Sequence, residues 1–419
     1  MICKEDSAMM ESEKRQGEQQ NQAREQPAEL QSGRLPGQAF ASGGRRLAVI
    51  YLTPSGGGLA RRLEQAWPQA AAPAAGDAAR SGDSLEVLAV VQPLSAMLAD
   101  LWHNYDGFVL IMAVGIVVRL LAPLLQSKWR DPGVVVLDEG GNFAVSLVGG
   151  HWGGANRLAR EVAACLGAAP VVTTATDVQG KPAIDLLARQ WGFRPLPGAR
   201  VKVINSALLA GEPVAIFSEW RLSGDRPLNQ DDLRPGWESI PCHSLQELEQ
   251  GGPDWGKPAP VLVTSRLLEL PPRGIFLRPL SLVAGIGCRR GVEAAEIEAA
   301  LEEALRMAGR SRDSLGLLAS HQIKEDEAGL LETAGRLGLA LKFFPSRRLE
   351  QIYEAHPGLE HSMFVQQQLG VGNVCETAAL ASAPDGTLVL RKTKFKRVTV
   401  ALVEAGLLWS ASGQVIRRS

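Results

Sequence analysis

From residue 46 onward, short runs that are apolar along their whole length alternate with stretches of helical periodicity, and this alternation constrains the fold more than any other feature. RLAVIYLT (46–53) is followed by a glycine-rich turn and the helical ARRLEQAW. Further strand-like runs are EVLAVV (86–91), GFVLIMA (107–113), GVVVLD (133–138), NFAVSLV (142–148) and PVVTT (170–174). A strand wetted on one face alternates apolar and polar residues, whereas one apolar at every position has both faces covered. Glu139, Gly140 and Gly141, lying between two such runs, predict a tight hairpin. The expected class is therefore α/β, with open, mostly parallel sheets flanked by helices.

At 419 residues and 45% hydrophobic content, the chain is long enough for two or three cores. A polar segment, 1–44, precedes the first strand and reads as a disordered tail. An N-terminal α/β unit is expected over 45–192. A smaller middle α/β unit, rich in proline and tryptophan, follows over 193–279 with strands in PVAIFSEW and PVLVTSR. The βα pattern resumes over 280–405, starting with SLVAGIG and the amphipathic VEAAEIEAALEEALRMAG, and 406–419 forms a second tail.

With 44 basic against 45 acidic residues the net charge is -1, so there is no overall field to favour nucleic acid or an anionic membrane, and anion binding must be local. The cysteines Cys3, Cys165, Cys242, Cys288 and Cys375 are scattered without a C-x-x-C pair. This fits a reducing compartment and predicts neither disulfides nor a structural zinc. The apolar stretch 107–125 is long enough to span a bilayer, but Arg119 and Pro123 within it favour a strand, a turn and a helix. No apolar signal region opens the chain, so a cytoplasmic location is expected.

The strongest local signal is SLVGGHWGGANRLARE (146–161), a strand leading to a helix through Gly149, Gly150, His151, Trp152, Gly153 and Gly154. Glycines there let backbone N–H groups approach an anion at a helix N-terminus, and a histidine can move protons near neutral pH. The competing reading is a loop that is merely tight. Asp138 and Glu139 at one strand end, and Thr173, Thr174 and Asp177 at another, could line the same rim, although Asp177 would equally serve as a cap. Arg119 and Lys128 add positive charge. In the third unit Gly285, Gly287 and Gly291 frame Arg289 and Arg290. Their G-x-G-x-x-x-G spacing departs from the dinucleotide fingerprint, and two arginines suit a carboxylate or phosphate better.

Taken together, GIVVRLLAPLLQSKWRDPGVVVLDEGGNFAVSLVGGHWGGAN (115–156), PVVTTATD (170–177), GIGCRRG (285–291), IKEDE (323–327), GVGNVCETAAL (370–380) and KTKFKRVTVAL (392–402) resemble the CbiG family, the cobalt-precorrin-5A hydrolases of anaerobic cobalamin biosynthesis. The third-unit motifs are also similar to stand-alone CobE-type proteins. Cys375 departs from the small residue expected before Glu376. The resemblance implies opening of the lactone between the ring A acetate and C20 of a polycarboxylate macrocycle, followed by loss of acetaldehyde. It implies cobalt-precorrin-5A and water as partners, with the cobalt carried by the substrate and no separate cofactor or protein-bound metal. A non-catalytic carrier of corrinoid intermediates is the alternative.

On this reading His151, oriented by Asp138 or Glu139, activates water. Gly149, Gly150, Gly153, Gly154 and Asn156 hold the oxyanion or a neighbouring carboxylate. Arg119, Lys128, Thr173, Thr174 and Asp177, and in the third unit Arg289, Arg290, Lys324, Glu327, Glu376 and Lys394, contact substrate. Homodimerisation and transient contact with neighbouring pathway enzymes are compatible with this picture.

Overall fold

The computed structural model describes residues 44–70, 83–90, 92–220, 240–249, 259–363, 366, 372–405, 408–409 and 415–416. The expected N-terminal tail, apart from residue 44, and most of the C-terminal one lie outside these residues. Among the described residues three large sheets and one two-stranded sheet are present, and each large sheet is packed on both faces. The first comprises β1 (Arg46–Tyr51), β2 (Ser84–Ala89), β3 (Gly107–Ile111), β4 (Gly133–Leu137), β5 (Phe143–Val148) and β6 (Ala169–Val171), in the order β2-β1-β3-β4-β5-β6. The first four strands are mutually parallel; β5 turns back antiparallel to β4, and β6 runs parallel to β5.

The apolar runs are explained by coverage on both sides. Leu47, Val49, Val109, Ile111, Val135 and Leu137 pack beneath helices α1 (Pro54–Ala70) and α4 (Ala155–Leu166). The alternate residues Ala48, Ile50, Phe108, Leu110, Val134 and Val136 pack on the opposite face against α2 (Leu94–Leu101) and α3 (Val114–Leu121). Residues 107–125, long enough for a membrane span, divide into β3 and α3, and among the described residues no helix is long and apolar enough to cross a membrane.

The middle sheet has the order β7-β11-β10-β8-β9, built from β7 (Arg194–Leu196), β8 (Val214–Ser218), β9 (Cys242–Ser244), β10 (Ala259–Val263) and β11 (Ile275–Arg278). Its core includes Ile184, Leu187, Ala188 and Trp191, all buried. The helix α6 (Ile184–Gln190) is therefore part of the middle unit, although the expected boundary at 192 assigned it to the first. Its apolar residues recur at helical spacing and face Ile216, Val261 and Leu277. A four-residue helix, α5 (Ala175–Val178), precedes it, and α7 (Arg200–Ala210) and α8 (Leu245–Glu249) complete the unit.

The third sheet, β14-β13-β12-β16-β15, comprises β12 (Leu282–Cys288), β13 (Leu315–His321), β14 (Ala340–Phe344), β15 (Thr387–Phe395) and β16 (Val398–Glu404). Helices α9 (Ala294–Met307) and α10 (Ala328–Leu337) cover one face. On the other lie α11 (Ser346–Ala355) and α12 (Cys375–Ser382).

Candidate active site

Strand direction places the site. Because β5 is antiparallel to β4, the glycine-rich loop that follows β5 emerges beside Gly133, where β4 begins. Asp138 and Glu139 follow the end of β4, so the length of that strand, about 16 Å, separates them from the loop. Parallel pairing of β5 and β6 brings Thr174 to Asp177 to the loop's own end of the sheet. The site thus lies at the carboxyl ends of β5 and β6, where ligand crevices of open α/β sheets form.

The glycines answer first to packing. Gly149 and Gly154 have φ of +69° and +82°, in the left-handed region. A Cβ on Gly149 would lie 2.9 Å from the Pro132 carbonyl, and one on Gly154 would lie 2.6 Å from the Arg189 guanidinium. The N–H groups of Gly154, Ala155 and Asn156 donate to the carbonyls of His151, Gly149 and Gly150 at 3.1, 3.1 and 3.0 Å. These three N–H groups are therefore turned into the loop, and the expected anion cradle at the start of α4 is in large part closed by the loop itself.

What the loop presents is His151. Its side chain is 8% exposed, with Nε2 2.7 Å from Asp177 Oδ2 and Nδ1 3.2 Å from Asp185 Oδ2. Thr176 Oγ1 approaches Nε2 at 3.3 Å. The Asn156 amide donates to Thr174 Oγ1 (3.1 Å) and Asp177 Oδ2 (3.0 Å) and accepts from the Ser146 hydroxyl (2.7 Å). Arg160, half exposed, donates to Asp177 Oδ1 at 2.5 Å. Each ring nitrogen faces a carboxylate, so a protonated nitrogen donates to its partner and one without a proton leaves that carboxylate lacking a donor.

Burial would raise the Asp185 carboxyl, but the hydrogen bond and charge of His151 and the Asn205 amide outweigh it and hold it below the usual range. Its unfolded value is about 3.9, so its ionisation favours folding above that pH, and the contribution is lost as pH falls through the lower folded value. Titration of the unfolding midpoint below pH 4 should show this loss in the native chain and a shallower one in Asp185→Asn.

The other expected residues fall elsewhere. Burial would raise the Asp138 carboxyl, but the N–H groups of Phe143 (2.6 Å), Asn142 (2.8 Å) and Gly140 (3.2 Å) and the Asn142 side-chain amide (2.9 Å) donate to it and together hold it below the usual range. Glu139 accepts from Thr53 Oγ1 at 2.7 Å. Both brace the hairpin turn and neither orients His151. Asp138→Ala is expected to lower stability by about 1 kcal/mol and leave turnover unchanged, as paired melts and rate assays would show. Arg119 caps Gly115 O on its own helix (2.9 Å), Lys128 lies 4.5 Å over the Trp129 ring, and Thr173 is exposed.

In the third unit Arg290 pairs with Asp326 at 2.9 Å and Lys324 with Glu327 at 3.2 Å. Glu327 also accepts the Gly291 N–H at 2.7 Å, closing the loop at 285–291 on α10. Glu376 is fully buried and accepts from the N–H groups of Lys392 (2.8 Å) and Glu360 (3.3 Å) and from the Asn373 amide. Glu327 and Glu376 are thus internal acceptors that hold loops to helices. Arg289 and Lys394 remain exposed at the carboxyl edge of β12. Among the described residues no group of three His, Cys, Asp or Glu side chains is placed to hold a metal ion.

Comparison with known proteins bears on all three units. The "Cobalamin synthesis G N-terminal" model matches 96–177, "Cobalamin biosynthesis central region" 182–279 and "Cobalamin synthesis G C-terminus" 282–403. A cobalt-precorrin-5A hydrolase of Priestia megaterium is 34% identical over 312 residues, 73% of this chain and 80% of that protein. One of Salmonella typhimurium is 33% identical over 361 residues, covering 85% and 97%. The chain belongs to the CbiG family. Its third unit is also similar to the protein CobE of a Sinorhizobium, 33% identical over 122 residues, 29% of this chain and 78% of that one.

Within this family member, the residues missed from sequence were Asp185, Arg189, Asn205 and Arg160. Asp185 and Arg189 are four apart in IDLLARQ, a charged stripe opposite an apolar one. That spacing was legible, but the loop the stripe would meet was not.

Proposed function

We propose that this CbiG family member is a cobalt-precorrin-5A hydrolase, the activity named for its near full-length relatives. Likeness to those relatives across all three family regions carries the reading. The buried His151 between two carboxylates supplies the group such chemistry needs.

Water adds to the lactone carbonyl, the acyl C–O bond breaks, and the oxygen on C20 takes a proton to become an alcohol. That alcohol then loses its proton, a C=O bond forms at C20, and the bond from C20 to the macrocycle breaks. Its electron pair passes into the ring system, which is protonated, and acetaldehyde departs. Each stage removes one proton from an oxygen and delivers another, which is general acid–base work suited to a histidine. In this proposal His151 carries the proton, Asp177 faces it at Nε2, and the exposed guanidinium of Arg160 receives a substrate carboxylate or the oxyanion. Cobalt travels with the substrate.

The test is incubation of the purified chain with cobalt-precorrin-5A and measurement of acetaldehyde and product mass. Catalytic release of one acetaldehyde per substrate supports the hydrolase. Binding of the macrocycle without release would identify a carrier.

A further inference from the structure

We propose that the middle unit completes the catalytic site, with Asp185 as the positioning residue that holds the His151 ring for proton transfer. The inference rests on the hydrolase reading and assigns to the middle unit a role in it.

The argument starts from α6. Ile184, Leu187, Ala188 and Trp191 seat one face of this helix in the middle core, all of them 5% exposed or less. On its other face Asp185 meets His151 Nδ1, and one turn further on Arg189 Nη1 donates to the His151 carbonyl at 2.6 Å. One rigid helix therefore grips both the ring and the backbone of a residue on a loop of the first sheet. Asn205, on α7, fixes the grip: its carbonyl accepts the Ile184 N–H at 2.8 Å and its amide donates to Asp185 Oδ1 at 3.0 Å. Next to His151, Trp152 packs edge-on against Trp129 with centroids 5.0 Å apart, and both rings lie on the middle core. The seam is thus built around His151 from both sides. An orienting carboxylate at Nδ1 fixes the ring plane and directs proton exchange to Nε2, the nitrogen facing Asp177.

Asp185→Asn keeps the shape and an acceptor but removes the charge. In the full chain with cobalt-precorrin-5A it is expected to lower kcat by about 100-fold or more while KM stays within about twofold, as for orienting carboxylates of other Asp–His pairs. The ¹⁵N signals of the His151 ring, assigned by comparison with His151→Gln, should change in Asp185→Asn without substrate. Asn205→Ala, which frees Asp185 from its second partner, should lower kcat by about tenfold through loss of alignment. It also serves as the test if Asp185→Asn does not fold.

Retention of kcat within about threefold in Asp185→Asn, or in Asn205→Ala if the former is unfolded, with unchanged ring signals, would overturn the positioning role. If His151→Gln is inactive in the same assay, the hydrolase reading survives that outcome. If His151→Gln also turns over normally, the catalytic reading of this site fails with it.

Discussion

His151→Gln should lower acetaldehyde release from cobalt-precorrin-5A by about 10²- to 10⁴-fold, the range associated with removing a general acid–base group. Glutamine can replace one of the two contacts now made to Asp177 and Asp185, but its amide carries no exchangeable charge at neutral pH. Because the ring is only 8% exposed, it contributes little surface for the macrocycle to bind. KM should therefore move much less than kcat, the pattern of an interaction made in the transition state. Steady-state kinetics with acetaldehyde trapping reads both parameters. Near-normal kcat would remove His151 from the chemistry.

The largest expected loss of stability lies in another sheet, at Gly285 in β12. A Cβ there would sit 1.8 Å from the Cys375 carbonyl oxygen and 2.7 Å from its carbon, so the obstacle is backbone and no rotamer change can relieve it. Gly285→Ala must push α12 off the sheet it covers, carrying Glu376 away from the N–H groups it satisfies. The expected cost is about 3 kcal/mol or more, beyond ordinary overpacking because a helix and its buried carboxylate move together. Urea unfolding of the full chain should show an early transition that is absent from the native protein. Gly335→Ala is the control of opposite sign. It lies within α10 with nothing within 4 Å of the added carbon, so alanine should stabilise by about 0.5–1 kcal/mol.

Gly285 also shows how a sequence motif can carry two readings. G-x-G-x-x-x-G between a strand and a helix invites a phosphate loop, yet the first glycine makes room for a helix packed across the sheet. The loop around His151 behaves likewise: Gly149 and Gly154 are demanded by positive φ and by the closeness of Pro132 and Arg189. Glycine marks close approach. Whether a ligand or the protein itself makes that approach is invisible in local sequence.

Local order was sufficient for the layers. Runs such as GVVVLD, apolar at each position of the strand, can only be buried on both faces, so the α/β class, the βα alternation and three successive units follow from the chain alone, as did His151, Asn156, Thr174 and Asp177 as neighbours. Their partners depended on direction and distance. The turn at 139–141 reverses the chain, and that reversal leaves Asp138 and Glu139 at the opposite end of the strands from the histidine they lie near in sequence. Asp185 reaches His151 from a helix whose other face belongs to a different core, 34 residues along the chain. The sequence by itself determined the architecture, the family and the histidine. Only the tertiary structure decided which carboxylates flank it, because that choice is made by strand direction and by packing between units, neither of which is encoded in local periodicity.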